Sequence, residues 1–217
     1  MQSKGKKVLN FIIVIVIIAI LCIIGYLAYY YISNYIAKKE AEEAVEAFEN
    51  DILVGEYEDE GIVDENSGQT NNSTSQGGSK KTSTTTYKGY TMIGTIQIPR
   101  TNLKAPIVDK VTPNSISAAV ATLYGPGLNE IGNTVLVAHN YRNGTFFSNN
   151  KLLQVGDKIY ITDVTGTKVE YSIYKTYTTS DMDFSYATRD TNGKREISLS
   201  TCTTDASKRL VIWARET

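Results

Sequence analysis

The sequence predicts an all-β head carried on an N-terminal transmembrane helix. Three observations point there: an unbroken apolar run from about Val8 to Ile32, a stretch from 66 to 86 with no apolar residue, and, beyond it, seven short segments rich in Val, Ile, Thr and Tyr. Gly, Asn, Asp and Pro separate those segments, and one stretch alone has helical character. That is the pattern of a β-sandwich or a β-barrel.

The apolar run has Asn10 as its only strongly polar member and follows Lys4, Lys6 and Lys7. It is long enough to cross a bilayer, which takes roughly 20 apolar residues. A cleavable signal has a shorter core of ~7 to 15 residues and a small-x-small site after it, neither of which is found, so an uncleaved anchor is expected over 8–32. Lysines flank both ends, and because the first short loop usually dominates orientation, residues 1–7 are expected to be cytoplasmic and everything after about Ser33 outside the cell.

Residues 38–65 carry twelve acidic side chains against two lysines and open with "KKEAEEAVEAF". This reads as a solvated, partly helical stalk over 33–65. The segment 66–86, "NSGQTNNSTSQGGSKKTSTTT", cannot bury enough surface to offset the entropy of ordering and is expected to be a flexible linker. From Tyr87 to Thr217 there are 131 residues, enough for one domain with its own core. They hold 15 Lys and Arg against 11 Asp and Glu. A net charge of +4 is too small to argue for nucleic acid as a partner.

Within the head, strands are expected at "TMIGTIQIP", "APIV", "NTVLVAH", "KIYITDV", "KVEYSIYKTYTT", "REISLSTC" and "RLVIWARE", and a helix at "SISAAVATLYG". Side chains alternate along a strand. In "REISLSTC", Ile197 and Leu199 therefore share one face and Ser198, Ser200 and Cys202 the other. In "RLVIWARE", Leu210, Ile212 and Ala214 oppose Arg209, Val211, Trp213 and Arg215. Arg209 opens its strand near the turn after Cys202, whereas Arg215 lies about 20 Å further on at about 3.3 Å per residue.

Of the two cysteines, Cys22 falls within the apolar run, so Cys202 is the only one expected outside the membrane. It has no intramolecular disulfide partner, which leaves an intermolecular bridge or a reactive thiol. His139, the only histidine, ends the segment "NTVLVAH" just as Cys202 ends "REISLSTC". A lone histidine is usually structural, yet Cys with His is the pairing that nucleophilic catalysis needs, and a neighbouring imidazolium or guanidinium favours the thiolate. One His and one Cys cannot make a structural zinc set, so neither a metal nor another cofactor is expected.

"LSTC" followed by an Arg that opens the next strand, an upstream "AHN", and "IGTIQIPRTNLKAPIV" together resemble the sortases, the membrane-anchored cysteine transpeptidases of Gram-positive bacteria. The resemblance covers about Met92 to Arg215. It implies a closed eight-stranded β-barrel with one or two short helices, and a catalytic domain over 87–217. It further implies that Cys202 attacks a C-terminal sorting motif to give a thioacyl enzyme, that His139 acts as general acid and base, and that Arg209 stabilises the oxyanion and holds the peptide. Thr201, beside the nucleophile, is expected to contribute to substrate binding. The implied partners are surface proteins bearing a sorting signal, an amine from a peptidoglycan precursor or a pilin lysine, and the lipid bilayer. Without the resemblance, the same residues also fit a hydrolytic cysteine peptidase or a membrane-tethered binding module. "HNYRNGTFF" is similar to the surroundings of the histidine in class B enzymes. Lys168 to Cys202 is too short for the long helical insertion of that class, and the stalk lacks the aromatic Asp-Pro motif of class C.

Overall fold

The structure, a computed structural model, describes residues 2–58 and 85–217. The expected linker lies outside the described residues apart from Thr85 and Thr86, as does the stalk beyond Glu58. Two units are distinguished, 1–40 and 41–217.

The first unit is the greater part of helix α1 (Gln2–Glu58). Its apolar side chains from Val8 to Ile36 are largely exposed, and this is the one helix among the described residues long and apolar enough to cross a membrane.

The second unit is a barrel with the end of α1 packed on it. Its strands are β1 (Thr86–Tyr87), β2 (Tyr90–Ile98), β3 (Leu103–Val108), β4 (Val120–Tyr124), β5 (Gly132–Val137), β6 (Lys158–Asp163), β7 (Lys168–Ser180), β8 (Arg195–Cys202) and β9 (Lys208–Glu216). The order β2-β3-β4-β5-β8-β9-β7-β6 returns to β2 through the pairing of β2 with β6, which closes an eight-stranded ring; β1 adds only to the edge of β2. Closure demands a close approach at Gly94, where a Cβ would collide with the Thr162 carbonyl and the Leu128 side chain. Ile96, Ile107, Leu136, Ile161, Leu199 and Ile212 are among the residues that fill the interior. Only β3 with β4 and β5 with β8 run parallel.

One segment departs from expectation. "SISAAVATLYG" was expected to be a helix, but only α2 (Ser115–Ala118) is helical; the chain turns extended at Ala119 and enters β4. The alanines that favour a helix in isolation are outweighed by the sheet: Val120 and Ala121 are fully buried, one inside the barrel and the other beneath α1, and they pair with Ile107 and Val108.

The acidic end of α1 is also more than a solvated face. Ala41, Val45 and Phe48 recur at helical spacing and are buried, Phe48 completely. Ala41 and Phe48 belong to one apolar cluster with Tyr87, Met92, Val108, Ala119 and Ala121 on the outside of the barrel. Glu49 pairs with Lys104 at 3.3 Å, and Thr85 donates to the Asp51 carboxylate at 3.1 Å.

Candidate active site

Two strands that run in the same direction place their C-terminal ends at the same end of the barrel. That is why His139, just past β5, and Cys202, the last residue of β8, come to one place although 63 residues separate them. Val137 is opposite Ser200 in the parallel register. Beyond that pair the Thr201 hydroxyl donates to the Ala138 carbonyl at 2.8 Å, and the Asn140 amide donates to the Cys202 carbonyl at 3.0 Å. These two bonds bracket His139 and hold its backbone against the end of β8.

The third residue arrives from the other side. Strand β9 is antiparallel to β8, with Arg209 directly opposite Cys202. Its Nη1 lies 3.5 Å from Sγ. The Nε of Arg209 is buried and has no protein hydrogen-bond partner. The turn between the strands is closed by the Thr203 N–H on the Lys208 carbonyl at 2.9 Å and by the Asp205 carboxylate, which accepts from Thr203 and Ser207.

The His139 ring is half-buried and packs on Tyr141 at 4.8 Å between centroids; Tyr141 in turn lies 6.0 Å from Phe146. Partial burial draws the imidazole below its ordinary value of 6.5, because the charged form loses water. Among the described residues no carboxylate hydrogen-bonds to His139, so the group consists of a thiol, an imidazole and a guanidinium without an acidic third member.

Arg215 sits elsewhere: its Nε donates to Glu196 at 2.6 Å and its guanidinium lies over the Tyr174 ring. Thr201 is adjacent to Cys202 in sequence but on the opposite face of β8, buried with its hydroxyl on Ala138. Its side chain is therefore not brought to the thiol. Asn140, which closes the "AHN" motif, and Tyr141 touch the site without having been given a role from sequence; the bond from Asn140 to Cys202 follows from the parallel register, which becomes visible only once β5 and β8 are known to be neighbours. Among the described residues no three His, Cys, Asp or Glu side chains gather in a way that could hold a metal.

Strand β7 ends beside this group, with Thr179 opposite Arg209 and Ser180 opposite Lys208. The connection from 181 to 194 then crosses the outer face of the sheet and contains no helix.

A sortase domain model matches residues 96–217. No curated protein sequence matches the chain. Among solved structures, the chain is similar to sortase A from Corynebacterium diphtheriae, at 27% identity and a TM-score of 0.54, over 59% of this chain and 61% of that one. It is similar to the pilus-related sortase C of Group B Streptococcus at 27% identity and a TM-score of 0.53, over 58% of this chain and 67% of that one. The likeness to sortase C-1 from Actinomyces oris, at 24% identity and a TM-score of 0.52 over 57% and 72% of the two chains, is one of fold. The chain thus spans less than two thirds of the length of the C. diphtheriae protein.

Proposed function

This chain belongs to the sortase family, and from that premise we propose that it is a membrane-tethered cysteine transpeptidase acting through Cys202, His139 and Arg209. The thiolate of Cys202 attacks the carbonyl carbon of the scissile bond in a C-terminal sorting motif. The electron pair of that C=O moves to oxygen, where the Arg209 guanidinium, charged at every working pH and rich in donors, stabilises it. Collapse breaks the C–N bond, and the His139 imidazolium supplies the proton that the departing amine needs. An incoming amine then attacks the thioester, His139 takes its proton, and the thiolate leaves, so that one amide is made for each one broken.

The observation that carries this reading is the approach of Arg209 Nη1 to Cys202 Sγ at the end of the barrel where β5 delivers His139. Thr201 fits as a positioning residue, since its hydroxyl fixes Ala138 immediately before His139. The acceptor is an amine of a peptidoglycan precursor or a pilin lysine, and the donors are surface proteins with a sorting signal. The apolar helix supports a single span; the N-terminus lies in the cytoplasm and the barrel outside, the orientation argued from the dominance of the first short loop. The test is a sorting-peptide library with the full chain in detergent micelles, read by mass spectrometry for a covalent adduct on Cys202. Product ligated to an added amine supports transfer; hydrolysis that ignores the amine would convert the reading to a peptidase, and an adduct on Cys202→Ala would end it.

A further inference from the structure

The mechanism uses one face of β8 only at its end, yet that face is buried along its length. Glu196, Ser198 and Ser200 lie on the outside of the barrel and are at most 2% exposed, because the connection from 181 to 194 covers them. A buried polar layer outside the apolar core calls for an account of what it holds.

Its centre is Asn133 on β5, 5% exposed. The amide of Asn133 donates to the Tyr186 carbonyl at 2.9 Å and the Ala187 carbonyl at 3.0 Å. Its oxygen accepts from Ser198 at 2.8 Å and Arg189 at 3.0 Å. Both donors and both acceptor sites of the amide are therefore in use. Arg189 also pairs with Glu196. Ala187 is buried with Tyr186 against the sheet, and Ala187, Thr188 and Arg189 also border an open cleft of about 480 Å³ lined by Tyr124 and Pro126. Packing of Tyr186 and Ala187 against Val135 and Val211 seats this stretch on the sheet, and the hydrogen bonds to one amide fix where its two carbonyls point.

What they fix lies beside the thiol. The Tyr186 hydroxyl shares a hydrogen bond of 3.1 Å with Ser200, which is on the same face of β8 as Cys202 and about 7 Å from it at 3.3 Å per residue. The Phe184 ring packs at 6.2 Å from Tyr186 and is half-exposed, Met182 is 80% exposed, and both follow directly on the Ser180 end of β7 beside Arg209.

We propose that Asn133 is a positioning residue for acyl transfer: by holding the carbonyls of Tyr186 and Ala187 it sets the 181–187 stretch, which follows the end of β7 beside Arg209, as a wall against which the donor peptide is bound. This rests on the transpeptidase reading above. Asn133 lies at the opposite end of β8 from the thiol and touches none of the reacting atoms, so its loss is felt in peptide binding and not in the chemistry of the thiol.

Asn133→Asp separates the two halves of the amide's role: a carboxylate still accepts from Ser198 and Arg189 but donates nothing to the two carbonyls. In Asn133→Asp and Asn133→Ala, KM for the peptide in thioacyl formation should rise about tenfold, the scale of failing to pre-order a loop. The maximal rate and the alkylation rate of Cys202 by iodoacetamide should stay within about twofold of wild type, and Ser198→Ala, which leaves both carbonyl bonds intact, should keep the wild-type KM. An unchanged KM in folded Asn133→Asp overturns the proposal. So does failure of Asn133→Asp to fold, since the amide would then be a requirement of the barrel. A wild-type chain that forms no thioacyl with any sorting peptide, while its thiol still alkylates, removes the transpeptidase reading and this inference with it.

Discussion

Arg209 and Arg215 share one face of β9, six residues apart, with different neighbours: a thiol for the first, a buried carboxylate for the second. Arg209→Lys should lower acylation by about a hundredfold, the scale of losing an oxyanion donor, because an ammonium lacks the fork that meets Sγ and substrate together. Arg215→Lys should leave the rate unchanged. Equal effects in a single-turnover assay would remove Arg209 from the mechanism. His139 makes a second prediction. Burial disfavours its charged form, so more acid is needed to protonate it, and the acid limb of the bell-shaped acylation profile should fall below pH 6.5. Tyr141→Ala uncovers the ring and should return the limb, and the imidazole midpoint seen by proton NMR, toward 6.5; a limb that stays put would separate the profile from His139. The identities of Cys202, His139 and Arg209 as candidates were legible in the sequence because each is unique or placed by strand parity. Asn133 was not: a buried Asn at a strand start differs from any turn asparagine only through partners 53 to 65 residues away.

At the scale of elements, alternation along β8 and β9 was readable and holds, with Leu199 and Ile212 inside and Cys202 with Arg209 outside. What could not be read was that the outer face of β8 is covered. A strand with Ser at every second position looks half-solvated, and the cover comes from a connection with no periodicity of its own. The "SISAAVATLYG" segment failed for a related reason, since its fate is decided by neighbours β3 and β5 and not by local propensity. The covered face has a cost. Burial pushes the Glu196 carboxyl up, but hydrogen bonds from Tyr174, Arg215 and Arg189 more than offset it and hold the group below the usual carboxylate range. Glu196 thus stays charged to lower pH in the folded chain than in the unfolded one. Its stabilisation is complete above the ordinary carboxylate range and is lost as pH falls through the lowered value. Glu196→Gln should destabilise the barrel by about 3 kcal/mol at neutral pH by leaving the buried Arg189 unpaired, and should flatten the acid side of a plot of melting temperature against pH. A variant as stable as wild type would show the layer to be held by its neutral bonds alone.

For the whole molecule, the acidic run after the anchor carried its second message openly, in the spacing of Ala41, Val45, Phe48 and Ile52, but charge masked it. Phe48→Ala should cost about 3 kcal/mol, as for other buried aromatics, and a fragment beginning at residue 87 should be less stable than the chain with α1 retained, measured by denaturant unfolding. Equal stability of the two would mean that the helix rests on the barrel without bonding to it. The contact between Asp51 and Thr85 joins residues 34 apart in sequence. The residues on either side of the 59–84 segment are thus clasped to each other directly, by the Asp51–Thr85 bond and by the Phe48 contact with the barrel. A protease site engineered between residues 59 and 84 should be cleaved without freeing the barrel, which stays in the membrane fraction, whereas the same cut in a Phe48→Ala chain should shed it into the medium. Release from the otherwise wild-type chain would show that the clasp does not hold.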